Sequence, residues 1–296
     1  MTTQARPTRA GSTGGSTRIA PGARAESLGS PLNPAWFISE ICRRNRVLAW
    51  TGVLMLVQTA VALALMPFDD RTILGLDPWV KPFKFSVSIA IFLWTMAWFM
   101  PSLRASRRAK QSLSVAFSLI MTVEMACVSL QSARGVRSHF NFETGFDAAI
   151  FSTMGSMIGL NTVLLVVVWL LFMVRGADLS PSYLWAVRLG LLVTILGGAQ
   201  GGLIVAHGQH AVGVADGGSG LPLVNWSTEG GDLRIAHMLG LHAMQVVPLF
   251  AFFLARSRPA WREASRVKTV FAFTTVYVIA SGLLLYRALE GLPLLS

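Results

Sequence analysis

Seven stretches of this chain are apolar for about 20 residues or more: 47–66, 83–101, 112–131, 147–174, 183–206, 234–256 and 266–288. A helix rises 1.5 Å per residue, so each can cross roughly 30 Å of hydrocarbon. No water reaches that layer, and the backbone there must satisfy its own hydrogen bonds as a helix or a closed barrel. Barrel strands would read as alternating segments of about ten residues, and these runs do not alternate. The sequence therefore predicts an all-α integral membrane bundle of about seven transmembrane helices. Composition agrees, with 13% charged residues against about 25% in a soluble domain.

The first span is preceded by Arg43, Arg44 and Arg46, and Ala62-Leu63-Ala64 has the look of a cleavage site. Its apolar run is longer than a signal peptide's, and a long polar start precedes it, so cleavage is not expected. Residues 1–34 are rich in Gly, Ser, Thr, Pro and Arg. They cannot bury enough surface to offset their ordering entropy and are expected to form a disordered basic tail. Residues 35–296 are expected to form one transmembrane domain with a long outer loop, 207–233.

Basic residues set the orientation. With the N-terminus inside, the inner segments and helix ends hold 17 of the 25 Lys and Arg residues, while acidic residues divide four inside to nine outside. The expectation is N-in and C-out in a bacterial cytoplasmic (inner) membrane. Because the +11 net charge is sorted by loop and not gathered in one patch, nucleic acid is not an expected partner; the lipid bilayer is. Cys42 and Cys127 form no metal or redox spacing.

Polar residues are distributed asymmetrically. All five histidines fall in outer loops or the outer halves of spans. Counting along the helices places Gln58, Glu124, Gln200 and His242 roughly 9–12 Å below the outer boundary, on four helices. Glu124 is the most informative, because an ionisable group at a helix centre costs about 2.5–3.5 kcal/mol and needs a partner or water. Its expected partners are the histidines, Lys84 or Arg134; Arg188 sits near the inner end of its helix. Glu124, Cys127 and Gln131 share one helix face at i, i+3, i+7, whereas His237 and His242, five apart, do not.

Three functions compete on these residues. The leading one is a redox or metal protein binding haem or a divalent metal at an outward-facing His/Glu site. Its candidate cofactor ligands are His237, His242, His207 and His139, and its candidate metal ligands are Glu124, Cys127, His237 and His242. Glu124 and His242 are also the catalytic candidates. The second is a proton-coupled carrier or receptor for a small solute entering from the outer side, bound by Gln58, Lys84, Arg134, Gln200 and Gln245. The third is a structural or accessory protein whose polar residues only join helices. Nothing in the sequence specifies an oligomeric state.

Loop 207–233 carries seven glycines within 208–233, interspersed with Val212, Val214, Leu221, Leu223 and Trp226. Glycine supplies the turns, and the apolar residues predict a lid packed over the bundle. Gly155-xxx-Gly159, Gly197-xxx-Gly201 and Gly198-xxx-Gly202 predict close helix packing. The stretches Trp79–Phe85, Ala133–Asn141 and Leu221–Gln245 resemble those of a family of hypothetical bacterial multi-pass membrane proteins, a resemblance that implies membrane placement and no particular chemistry. Two other seven-span families are excluded on motif. The HxxxH pair of ceramidase-type zinc hydrolases is absent, and the lysine that microbial rhodopsins carry inside the last helix is replaced by Lys268 at its inner end.

Overall fold

The computed structural model describes residues 34–295. The disordered tail expected over residues 1–34 lies outside them, apart from Pro34, which begins α1. By its contacts the chain divides within α1 into Met1–Ser39 and Glu40–Ser296, and every apolar span belongs to the second unit.

The order is α1 (Pro34–Arg44), α2 (Arg46–Leu65), α3 (Val80–Phe99), α4 (Arg107–Arg134), α5 (Gly145–Val174), α6 (Pro181–His207), β1 (Ala211–Val212), β2 (Gly231–Asp232), α7 (Leu233–Ser257) and α8 (Glu263–Leu289). Seven of these, α2 to α8, are long and apolar enough to span a membrane. The chain is a polytopic membrane protein. Their ends arise from local chemistry. Asn45, Ser106 and Thr144 accept the amides of Leu48, Ala109 and Asp147 as N-caps, satisfying donors that a helix start leaves free. Gly135 and Gly208 close α4 and α6 in the left-handed conformation, at φ +73° and +79°, which glycine adopts without strain. Large apolar side chains such as Val163, Val276 and Leu283 are exposed, as lipid-facing positions should be. Phe117, Met154, Phe172 and Leu191 fill the interior.

The closest helix pair is α6 with α7, and one face of α6 explains it. Gly190, Thr194, Gly197 and Gly201 recur every three to four residues. A Cβ on Gly197 would lie 2.5 Å from the Gly240 carbonyl carbon, and one on Gly201 would lie 3.0 Å from the His237 ring. The backbones touch because neither helix has a side chain at the crossing. Thr194 adds polar contact, its Oγ1 accepting from the Met244 amide at 3.0 Å and donating to Leu241 O at 3.3 Å. This lies one turn before Pro248, which lacks an amide of its own. The second motif of the same kind behaves differently. Gly155 and Gly159 have nothing within 4 Å of a built Cβ and are exposed.

Successive spans alternate direction, so the loops after α2, α4 and α6 and the end of α8 gather at one end. Arg71 donates to Ala133 O at 3.1 Å, joining the first of these loops to the end of α4. Phe140 packs edge-on against His210 at 5.3 Å, joining the second to the third. Lys84 on α3 donates to Val224 O at 3.3 Å. The third loop is folded, its two ends paired as an antiparallel ladder of Ala211 with Asp232 and Val212 with Gly231. Among the described residues, the non-glycine residues with positive φ (Leu74, Phe140, Leu223 and Asn225) lie in these loops. Backbone strain of this sort concentrates at functional ends of proteins.

Asp216 organises the folded loop. It accepts the Ala211 amide at 2.9 Å, the His210 amide at 3.1 Å and the His210 ring Nδ1 at 2.9 Å. Burial opposes its charge, yet these donors hold its carboxyl well below the usual range. Asp216→Ala is expected to destabilise the loop locally by about 1–3 kcal/mol, the cost of orphaned buried donors. Faster hydrogen exchange at 208–232, with α2–α5 unchanged, is the readout.

Candidate functional site

Glu124 sits within α4 at 1% exposure, and its Oε2 has no hydrogen-bond partner. An ionised carboxylate so placed is costly unless a counter-charge or a proton offsets it. The charge that acts on it belongs to Lys81, in the first turn of α3. Lys81 in turn lies 3.0 Å from His139 Nδ1. When Lys81 is an ammonium it can only donate, which makes Nδ1 the acceptor and places the ring proton on Nε2.

His139 is enclosed by aromatic rings: Phe85 at 6.0 Å, Phe140 at 6.3 Å and Phe151 at 5.8 Å. The charges of Lys81, His210 and His237 also reach it. Burial first, and then Lys81, hold its pKa well below the ordinary 6.5. The folded protein thus disfavours protonated His139, while the unfolded chain takes the proton freely. Stability contributed by this group is present above about pH 6.5 and declines as pH falls below it. Asp216 does not enter this window, because its contribution is lost only below its unfolded value near 3.8. Melting temperatures measured between about pH 7 and 5 should therefore fall less in His139→Gln than in the parent.

His237 and His210 have the opposite ring arrangement. His237 Nδ1 donates to Gly197 O at 2.7 Å, and His210 Nδ1 faces Asp216. In the neutral form each ring would then carry its lone pair on Nε2. The three histidines 139, 210 and 237 act on one another electrostatically and join the Glu124–Lys81 pair to the folded loop.

The other candidates from the sequence are placed as follows. Cys127 is buried one turn from Glu124 and feels its charge. Gln58 donates to Ser129 on α4 at 2.9 Å, which ties α2 to α4. Gln245 donates to Thr95 on α3 at 3.1 Å and interacts with His242. Oε1 of Gln245, like Oε1 of Gln200 on α6, is buried without a partner. Lys84 holds the folded loop and does not pair with Glu124. Arg134 is committed to Asp147, Gln131 and the Phe146 ring, so it too leaves Glu124 alone. Arg188 donates to Phe172 O and Met173 O at the end of α5. His207 is exposed, its helix ends there, and it does not join His210.

Gln58, one member of the expected Gln58, Glu124, Gln200 and His242 layer, is bonded to Ser129 on α4. Among the described residues no three His, Cys, Asp or Glu side chains gather into a set able to hold a metal ion, so Glu124, Cys127, His237 and His242 are not assembled as one centre. Lys81 and Asp216 are functional candidates that sequence reasoning alone does not single out. The signal for Lys81 is its spacing of three from Lys84, hidden by Pro82. Pro82 lies within the first turn of α3 and does not precede it, a position where proline is well tolerated. Set against known protein families, curated proteins and solved structures, the chain finds no match.

Proposed function

We propose that this protein is a proton-coupled carrier of a small polar solute, with Glu124 as its proton-exchanging group. The observation that carries this reading is the buried Glu124 carboxyl, unpartnered at Oε2, beside a Lys81 that is hydrogen-bonded to His139. Lys81 is bonded to His139 and places the charge that acts on Glu124, and His139, His210 and Asp216 lead towards the folded loop. Glu124 Oε2, Gln200 Oε1 and Gln245 Oε1 are acceptors that lack donors. Buried polar atoms are rarely left so, and a solute rich in N–H or O–H groups would satisfy them. The helices form one membrane domain in a bacterial inner membrane, N-terminus cytoplasmic and the capped end facing outward; the excess of Lys and Arg on the opposite side supports this.

Reconstitution into vesicles containing a pH-sensitive dye tests the reading. An imposed pH gradient should change the internal pH faster with protein than without, and addition of the right amine or hydroxyl solute should accelerate it. A response no faster than that of empty vesicles would defeat it.

A second reading has one specific observation in its favour. His237 and His210 each have Nδ1 fixed by a carbonyl or carboxylate, the arrangement that orients an imidazole to ligate through Nε2. Haem or a metal bound between Nε2 atoms would then give the purified protein colour or a stoichiometric metal content. A colourless, metal-free preparation eliminates it.

A further inference from the structure

At the end opposite the folded loop, residues 256–268 hold Arg256, Arg258, Arg262, Arg266 and Lys268 against a single acid, Glu263. Glu263 is already occupied, bonded to Arg266 at 2.7 Å and to the Ser182 amide at 3.0 Å. The side chains of Arg262 and Lys268 have no hydrogen-bond or ion-pair partner among the described residues. They line a shallow, open groove with Ala260, Trp261, Ser265 and Thr269. Trp261 is 41% exposed beside it, where an indole anchors at a membrane–water boundary.

The helix below the groove has a matching pattern. Ser265, Thr269, Ala272, Val276, Ile279 and Leu283 recur at steps of three and four, so they share one face of α8. All but Thr269, which is half-buried, are exposed. That face is polar for its first two positions and apolar for the next four. The ten steps from Thr269 to Ile279 cover about 15 Å, the depth of one leaflet. Two unpartnered cations and a serine hydroxyl at the boundary, above an acyl-length apolar track, match an anionic phospholipid along its whole length.

We infer that this groove binds the phosphate headgroup of an anionic phospholipid, whose acyl chain lies along the exposed face of α8. Arg262 and Lys268 contact the phosphate, Ser265 donates to it, and Trp261 flanks the glycerol level. The site is separate from the Glu124 region and does not depend on the function proposed for it.

The test is titration of the full-length protein in detergent with phosphatidylglycerol and with phosphatidylcholine of the same chains, read by native mass spectrometry. The parent should bind phosphatidylglycerol in preference. In the double variant Arg262→Gln/Lys268→Gln that affinity should fall about 30-fold, the effect of removing two surface charges, with phosphatidylcholine unaffected. Because both side chains are exposed and unpartnered, the variant should elute and melt like the parent in lipid-free detergent. The swap Arg262→Lys/Lys268→Arg should retain binding. Inorganic phosphate alone should leave the melting temperature unchanged. Equal phosphatidylglycerol affinity in the double variant and the parent would overturn the assignment, and so would stabilisation by phosphate matching that by the lipid.

Discussion

Gly197→Ala is expected to leave little folded protein in detergent, whereas Gly155→Ala should behave like the parent. Both glycines begin a Gly-xxx-Gly motif inside a span, so the sequence treats them alike. Their surroundings do not. The added methyl on residue 197 would sit 2.5 Å from the carbonyl carbon of Gly240 and 2.6 Å from its Cα. Those are backbone atoms, and no side-chain rotation can relieve the clash. The helices must separate, which would also pull Thr194 from Met244 and Leu241 and break the bond between His237 and Gly197 O. Overpacking of a core costs about 1–3 kcal/mol and sometimes more; the loss of three cross-helix hydrogen bonds places this case at the upper end. At Gly155 the methyl meets nothing, and alanine gains up to about 1 kcal/mol in helix propensity. Size-exclusion profiles and melting temperatures of the two variants, side by side, make the comparison. Equal behaviour would mean that α6 and α7 do not cross at Gly197 and Gly240.

Glu124→Gln should remove proton exchange while leaving the fold. The amide has the size of the carboxyl, so the packing around it is unchanged, but it cannot release or accept the proton. Proton transfer through a positioned side chain is typically worth 10²–10⁴ in rate, and a fall of at least about 100-fold in proton flux is expected. Glu124→Asp keeps the chemistry and should recover part of it. Lys81→Met should also lower the flux, because it removes the charge that acts on Glu124 and the bond to His139. Arg134→Gln gives a useful contrast. It breaks the Asp147 cluster that joins α4 to α5 and should lower stability without a selective effect on flux per folded molecule.

The spans are legible because apolar length alone decides them. Helix α1 is not, since eleven residues are too few for a span and its alternation of apolar and charged residues resembles an ordinary amphipathic turn. The apolar run of α3 begins three residues after the helix does, because Pro82 looks like a break, and Lys81 thereby reads as part of a loop. Depth below the membrane surface comes from counting residues, and that is why Gln58, Glu124, Gln200 and His242 read as one layer. Counting gives no azimuth between helices. Gln58 in fact turns to Ser129, and Gln245 beside His242 turns to Thr95, which leaves Glu124 with a lysine from outside that layer. The His210–Asp216 pair is equally hidden, since six residues of glycine-rich loop do not reveal their own turn.

The most direct test is pH-difference infrared spectroscopy of the reconstituted protein, which sees a carboxyl group gain or lose its proton. The expected result is a carboxylic C=O band that appears and disappears with pH, is absent in Glu124→Gln and changes in frequency in Lys81→Met. A pH-dependent spectrum identical in the parent and in Glu124→Gln would contradict a proton-exchanging Glu124.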